Sequence, residues 1–150
     1  MTENIYTAIA EIQADPPVLV KDSDGQVGPR KYRYLSLNKL METLLPELNR
    51  RGVVLIQTPT VVEGQPALLT ELLHIESFTR VGETMLLMSS DATPQQQGSA
   101  ITYARRYALT SILGLVADED DDGAALNKGN AVPARQAELQ PKVVGASNPF

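Results

Sequence analysis

Ala67-Leu68-Leu69-Thr70-Glu71-Leu72-Leu73-His74-Ile75-Glu76-Ser77-Phe78 can be read two ways, and each gives a different fold. Taken alone, Leu68 to Leu73 fits a helix as well as a strand, because a short apolar run carries no period of its own. The neighbouring sequence arbitrates. Upstream, Val53-Val54-Leu55-Ile56 is a β-branched run typical of a buried strand. Between the two runs, Pro59, Gly64 and Pro66 break the chain and predict a hairpin turn around Glu63-Gly64. Downstream, Arg80-Val81-Gly82-Glu83 reads as a turn into Thr84–Ser90. Ala67–Phe78 is therefore expected to be a strand paired with Thr84–Ser90.

Helical patterns flank this strand region on both sides. Ile5, Ala8, Ile9 and Ile12 recur at three- and four-residue intervals within Thr2–Ala14, and Asp15-Pro16-Pro17 stops that helix. Val18-Leu19-Val20 is compatible with a short strand, and Lys21 to Pro29 reads as a loop by its Gly, Pro and Asp content. Ser36 is the expected N-cap of a helix over Leu37–Arg51, with a kink at Pro46 and an end at Gly52. Thr93-Pro94 opens a second long helix, from Gln95 to Leu115, with Gly98 as a point of irregularity. From Ala124 the composition changes to Ala, Asn, Gln, Gly and Pro, which predicts a disordered tail over 124–150 behind a domain of residues 1–123. The order of elements predicts an α+β domain with a small antiparallel sheet.

Composition narrows the chemistry. The 150 residues contain no cysteine, which excludes disulfides, thiolate metal sites and cysteine nucleophiles. His74 is the only histidine, so it reads as a partly buried structural residue and not as part of a triad. No apolar run reaches the length of a membrane span, and the N-terminus lacks the features of a secretory signal, so the expected location is cytoplasmic. The sequence holds no phosphate loop of the Gly-x-x-x-x-Gly-Lys-Ser/Thr type, which excludes an ATP-driven recombinase or helicase built on one. The net charge of −5 is unevenly spread. Arg30 to Arg51 carries six basic residues against Glu42 and Glu47, whereas Asp118 to Phe150 carries six acids against three bases. Phosphate binding depends on the local field, so a basic patch on a near-neutral body remains competent.

The second long helix concentrates that chemistry. At about 100° per residue, Ile101, Ala104, Ala108, Leu109 and Ile112 gather on one face, while Tyr103, Arg106, Tyr107 and Thr110 gather on the other. Arg105 falls in the apolar sector, where it must snorkel, pair, or face a groove. Two readings stand. Either the arginines hold phosphates while Tyr103 offers a ring to a nucleotide, or the polar face is simply solvated. A second candidate surface is Lys31-Tyr32-Arg33-Tyr34, which as a strand puts tyrosines on one face and cations on the other; the expected arrangement is tyrosines in the core and cations toward phosphate. The block Asp118-Glu119-Asp120-Asp121-Asp122-Gly123 matches the opening of a calcium loop, but position twelve of that loop is Gly129 where a bidentate glutamate is required. A metal-dependent hydrolase or calcium module on Asp118–Asp122 is the alternative function that this block leaves open.

Gln97-Gly98-Ser99-Ala100-Ile101-Thr102-Tyr103-Ala104-Arg105-Arg106-Tyr107-Ala108-Leu109, followed by Leu113-Gly114-Leu115 and the acidic block, resembles the signature of the Erf (essential recombination function) family of phage single-strand annealing proteins. Tyr32-Arg33-Tyr34, the Leu-rich helix with Pro46, Gly52-Val53 and Gly82-Glu83 follow the order of that family, and the resemblance covers about residues 3–123. It implies a non-enzymatic protein that coats single-stranded DNA, assembles into rings or filaments and anneals complementary strands without ATP or any cofactor. It implies a fold similar to the eukaryotic annealing proteins, a curved antiparallel sheet packed on helices. The DNA-binding residues it points to are Arg30, Lys31, Arg33, Lys39, Gln97, Tyr103, Arg105 and Arg106. The expected setting is the cytoplasm of a phage-infected or prophage-bearing bacterium. The terminal Ser147-Asn148-Pro149-Phe150 resembles the tip by which host single-strand binding proteins recruit partners, although the preceding acids are missing.

Overall fold

Side chains at Leu68, Thr70, Leu72 and His74 are all at most 2% exposed, while Leu69, Glu71 and Leu73 between them are only half-buried. That period of two makes Gln65–His74 a strand. The computed structural model describes residues 2–89 and 91–117. Among the described residues the order is α1 (Ile5–Ala14), β1 (Ser23–Val27), β2 (Arg30–Tyr34), α2 (Leu37–Arg50), β3 (Val53–Val62), β4 (Gln65–His74), β5 (Arg80–Leu86) and α3 (Pro94–Leu113). Strands β3, β4 and β5 form one antiparallel sheet in that order, and β1 with β2 forms a separate hairpin. The fold is α+β, with a small antiparallel sheet packed on helices, as the sequence predicts.

The β3–β4 turn lies at Glu63-Gly64, where both residues adopt positive φ (49° and 78°). The next turn falls earlier than expected. Residues 75–79 make it, and Arg80-Val81-Gly82-Glu83 belongs to β5, with Glu83 opposite Thr70. A polar relay fixes that position: His74 Nδ1 meets Ser77 Oγ at 2.8 Å, Ser77 Oγ meets Thr79 Oγ1 at 2.7 Å, and the Ile5 N–H donates to Thr79 Oγ1 at 2.8 Å. His74 is thus a buried structural residue that ties the turn to the start of α1.

Two further expectations are corrected. Val18-Leu19-Val20 is not a strand; Leu19 alone enters the core. The segment read as a loop contains β1, whose Ser-Asp-Gly-Gln sequence has low strand propensity and is made a strand by pairing with β2. Pro46 lies within an unbroken α2. The carbonyl it deprives of a partner is that of exposed Glu42, on a side where water can replace the bond.

The core forms where Ile5, Ala8 and Ile12 of α1, Leu40, Leu44 and Leu48 of α2, and Leu109 and Leu113 of α3 meet Val53 and Leu72 of the sheet. Each helix contributes residues three or four apart, one stripe per helix. Polar ties set the ends. Arg51 bonds Glu11 Oε2 at 3.0 Å and Glu47 Oε2 at 2.8 Å, linking α1 to α2. Gln13 Nε2 donates to the Leu113 carbonyl at 3.0 Å. Gly114, in the left-handed region at φ 66°, ends α3 two residues before the expected Leu115. At its other end α3 is held by a Thr93–Gln96 capping box with Pro94 in the first turn.

Candidate nucleic-acid interface

A hairpin of two short strands has no layer of its own to cover it. The β1–β2 hairpin is held in two places. At its base the Asp22 carboxylate accepts from the Ser36 backbone N–H and the Ser36 hydroxyl, both at 2.7 Å. These bonds, the backbone one first, hold the Asp22 carboxyl below its ordinary range. Ser36 Oγ also accepts from the Lys39 N–H as N-cap of α2, so one serine joins hairpin and helix.

The second attachment is aromatic. Tyr32 and Tyr34 share a face of β2, with ring centroids 5.9 Å apart. Tyr103 and Tyr107, four apart on α3, lie 4.3 Å apart. Between the pairs sits Arg106, whose guanidinium carbon is 5.0 Å from the Tyr34 centroid, 5.8 Å from Tyr103 and 5.4 Å from Tyr107. Its Nη1 donates to the Leu35 carbonyl at 3.3 Å. The cation therefore joins hairpin and helix through its contacts with rings of both and its bond to the Leu35 carbonyl.

These groups bound a groove of about 920 Å³ between the hairpin and the N-terminal half of α3. Tyr32, Tyr34 and Gly25 line it from the hairpin, and Gln95, Gly98, Ser99, Thr102, Tyr103 and Arg106 from α3. None of the described lining residues is acidic. Tyr103 is 51% exposed and Tyr32 43%, so both present ring surface to solvent. The tyrosines of β2 are therefore not in the core: what they face is this groove. Gly25 stands opposite Tyr32 in the hairpin register, and a Cβ on it would fall 2.4 Å from Tyr32 Cζ. The missing side chain is what lets the Tyr32 ring lie across β1.

The residues singled out by the sequence fall into three places. Tyr103 and Arg106 enter the groove. Arg30, Lys31 and Arg33 are exposed along β2, with Lys31 and Arg33 alternating with its tyrosines; Arg33 Nε lies 3.5 Å from Asp24 in a solvent-exposed pair of little strength. Gln97 and Arg105 are occupied elsewhere, and Lys39 lies on α2 outside the groove lining. Lys39 Nζ is 4.0 Å from Glu42, and Gln97 Nε2 donates to the carbonyls of Met88 and Ser89 at 3.0 and 3.1 Å. Arg105 turns to the sheet, where its Nε donates to Gln57 Oε1 at 3.1 Å and Gln57 Nε2 donates back to the Arg105 carbonyl at 3.0 Å. Gln57 Nε2 also reaches the buried Thr70 hydroxyl at 3.0 Å, which accounts for an arginine in the apolar sector of α3.

Sequence reasoning did not bring the two tyrosine pairs together, nor did it single out Gly25, Ser99 and Thr102. The available signal was the spacing Gly98-Ser99-x-x-Thr102, a small-residue face of one helix. Among the described residues no group of three His, Asp or Glu side chains is placed to hold a metal, and no helix is long and apolar enough to cross a membrane. Asp118–Asp122, the 124–150 segment and Pro149-Phe150 lie outside the described residues.

No curated protein and no solved structure matches the chain. The family model of the ERF superfamily matches residues 5–144, which takes in the whole groove and runs past the expected boundary at residue 123. With nearly its full length matched, the chain belongs to the ERF superfamily, a family of phage recombination and single-strand annealing proteins.

Proposed function

We propose that this protein binds single-stranded DNA in the tyrosine-lined groove and anneals complementary strands without ATP. The observation that carries this reading is Arg106 held over the rings of Tyr34, Tyr103 and Tyr107 in the groove, with Arg30, Lys31 and Arg33 exposed on the same hairpin, Lys31 and Arg33 on the face opposite its tyrosines. Exposed aromatic faces suit unpaired bases and the exposed hairpin cations suit a phosphate backbone, and neither feature reads sequence. Annealing of arbitrary complements needs that indifference. The protein works as a homo-oligomer, ring or filament, in which one basic groove per subunit repeats along a strand. That repetition gives a chain of net charge −5 a continuous cationic track. No catalytic step and no cofactor enter the reading. Its setting is the bacterial cytoplasm, with host single-strand binding protein as a further partner.

Fluorescence anisotropy of a labelled oligonucleotide across a salt series, beside a nucleotide-free annealing assay, tests it. Each neutralised phosphate contributes about −0.7 to the log–log salt slope for single strands. Arg30, Lys31, Arg33 and Arg106 acting together predict a slope of about −3 per subunit, and Lys31→Ala should make it shallower. A protein with no single-strand affinity at low salt, or no annealing without nucleotide, overturns the proposal.

A further inference from the structure

Among the described residues, nothing requires glycine at position 98. It is the fifth residue of the twenty-residue α3, its φ is not positive, and, apart from its chain neighbours and the backbone of its own helix turn, no described atom lies within 4 Å of where its Cβ would stand. Glycine is the poorest helix former after proline, so an interior helical glycine that neither packs closely nor turns the chain weakens the helix for nothing. Gly25 shows the contrast, since there the missing Cβ is filled by the Tyr32 ring. At Gly98 the missing Cβ leaves open space, and that space belongs to the groove. Ser99 and Thr102 keep the same wall low, and the Thr102 hydroxyl is turned back onto the Gly98 carbonyl at 3.1 Å. Across the groove is the exposed ring of Tyr32, and next to Thr102 on the same helix is that of Tyr103.

We infer that Gly98 is the clearance for an unpaired nucleobase, which lies on the tyrosine faces with its edge against the Gly98-Ser99-Thr102 wall. This deepens the single-strand reading and rests on it. The base is taken out of its own stack, so the groove selects unpaired strands and rejects a duplex, whose bases are already stacked and paired. Gly98 is a positioning and specificity residue here: it donates nothing and excludes nothing, and any larger residue would occupy the seat.

The test uses the full chain and two probes of equal length and backbone charge, an oligothymidylate and a fully abasic oligonucleotide. Stacking contributes enough per base that the wild type should bind the thymidylate about 5- to 150-fold tighter than the abasic strand at one salt concentration. Gly98→Leu should hold or raise the melting temperature by a few degrees, through better helix propensity, yet bind both probes at the abasic level. Gly98→Ala should raise stability with a smaller loss of discrimination. Equal wild-type affinity for both probes overturns the base seat while leaving backbone binding of single strands intact. Full thymidylate affinity in a folded Gly98→Leu protein also overturns it. Failure of the wild type to bind either probe falls on the single-strand reading itself.

Discussion

Gly25→Ala separates the groove from the fold in one substitution. The new methyl would stand 2.4 Å from Tyr32 Cζ, 2.6 Å from Oη and 2.8 Å from Cε2, all well inside van der Waals contact. Those atoms are the far end of a side chain already 43% exposed, so the ring swings aside before the backbone moves. The fold loses a tilted tyrosine pair, about 0.5–1.5 kcal/mol, and regains about 0.5–1 kcal/mol from replacing glycine in a strand. Net stability should therefore change by less than about 1 kcal/mol, a few degrees of melting temperature. Binding keeps no such compensation. One stacking platform is lost, about 1–3 kcal/mol, or roughly 5- to 150-fold in affinity for an oligothymidylate. Thermal denaturation and anisotropy titration of Gly25→Ala, Tyr32→Ala and the double variant check the account together. If the methyl acts by expelling the ring, the double variant binds no worse than Tyr32→Ala alone. Additive losses would refute the reasoning, because the methyl would then act on something other than Tyr32.

Other substitutions probe the remaining parts. Arg106→Lys keeps the charge but loses the planar face among three rings, so single-strand affinity should fall about 5- to 30-fold with the salt slope unchanged in the same titrations. Arg105→Ala should behave oppositely: loss of its bond to Gln57 should cost about 1 kcal/mol of stability in denaturant unfolding, with affinity near wild type. Glu47 accepts from Arg51, and this bond first, with the Arg50 and Arg51 charges, holds its carboxyl below the ordinary value of 4.5. A depressed carboxyl stabilises the folded state above its unfolded value, and that contribution is lost as pH falls through the folded one. Stability should thus decline below about pH 4.5, and Glu47→Gln should flatten that part of the acid limb in a pH series of melts.

Much of the frame was legible because it rests on local rules. Ser36 and Thr93 cap helices by side-chain geometry, and Glu63-Gly64 turns the chain by backbone freedom. The position of the β4–β5 turn was not legible, since it depends on the relay from His74 to Ser77, Thr79 and the N–H of Ile5, 74 residues away from Thr79 in sequence. β1 was hidden for a similar reason: Ser23–Gln26 has low strand propensity and owes its state to β2. At the site, helical spacing brought Tyr103 next to Arg106, but nothing in that spacing shows that Tyr34 completes the stack. Arg105 had an address in the apolar sector without a partner until β3 supplied Gln57.

The β1–β2 hairpin pairs with no strand of the main sheet, and the bonds described for it run through Ser36 and Arg106. Local opening free energies track how much holds a segment down. The amides of β1 and β2 should therefore exchange with solvent sooner than those of β4, at an energy below that of global unfolding. The groove exists only while this leaf is closed, so a strand lying across it would act as a further fastener and be rewarded with slower exchange there. Recognition and the ordering of the hairpin then become one event, and the site can come apart and re-form many times within the lifetime of a single folded molecule.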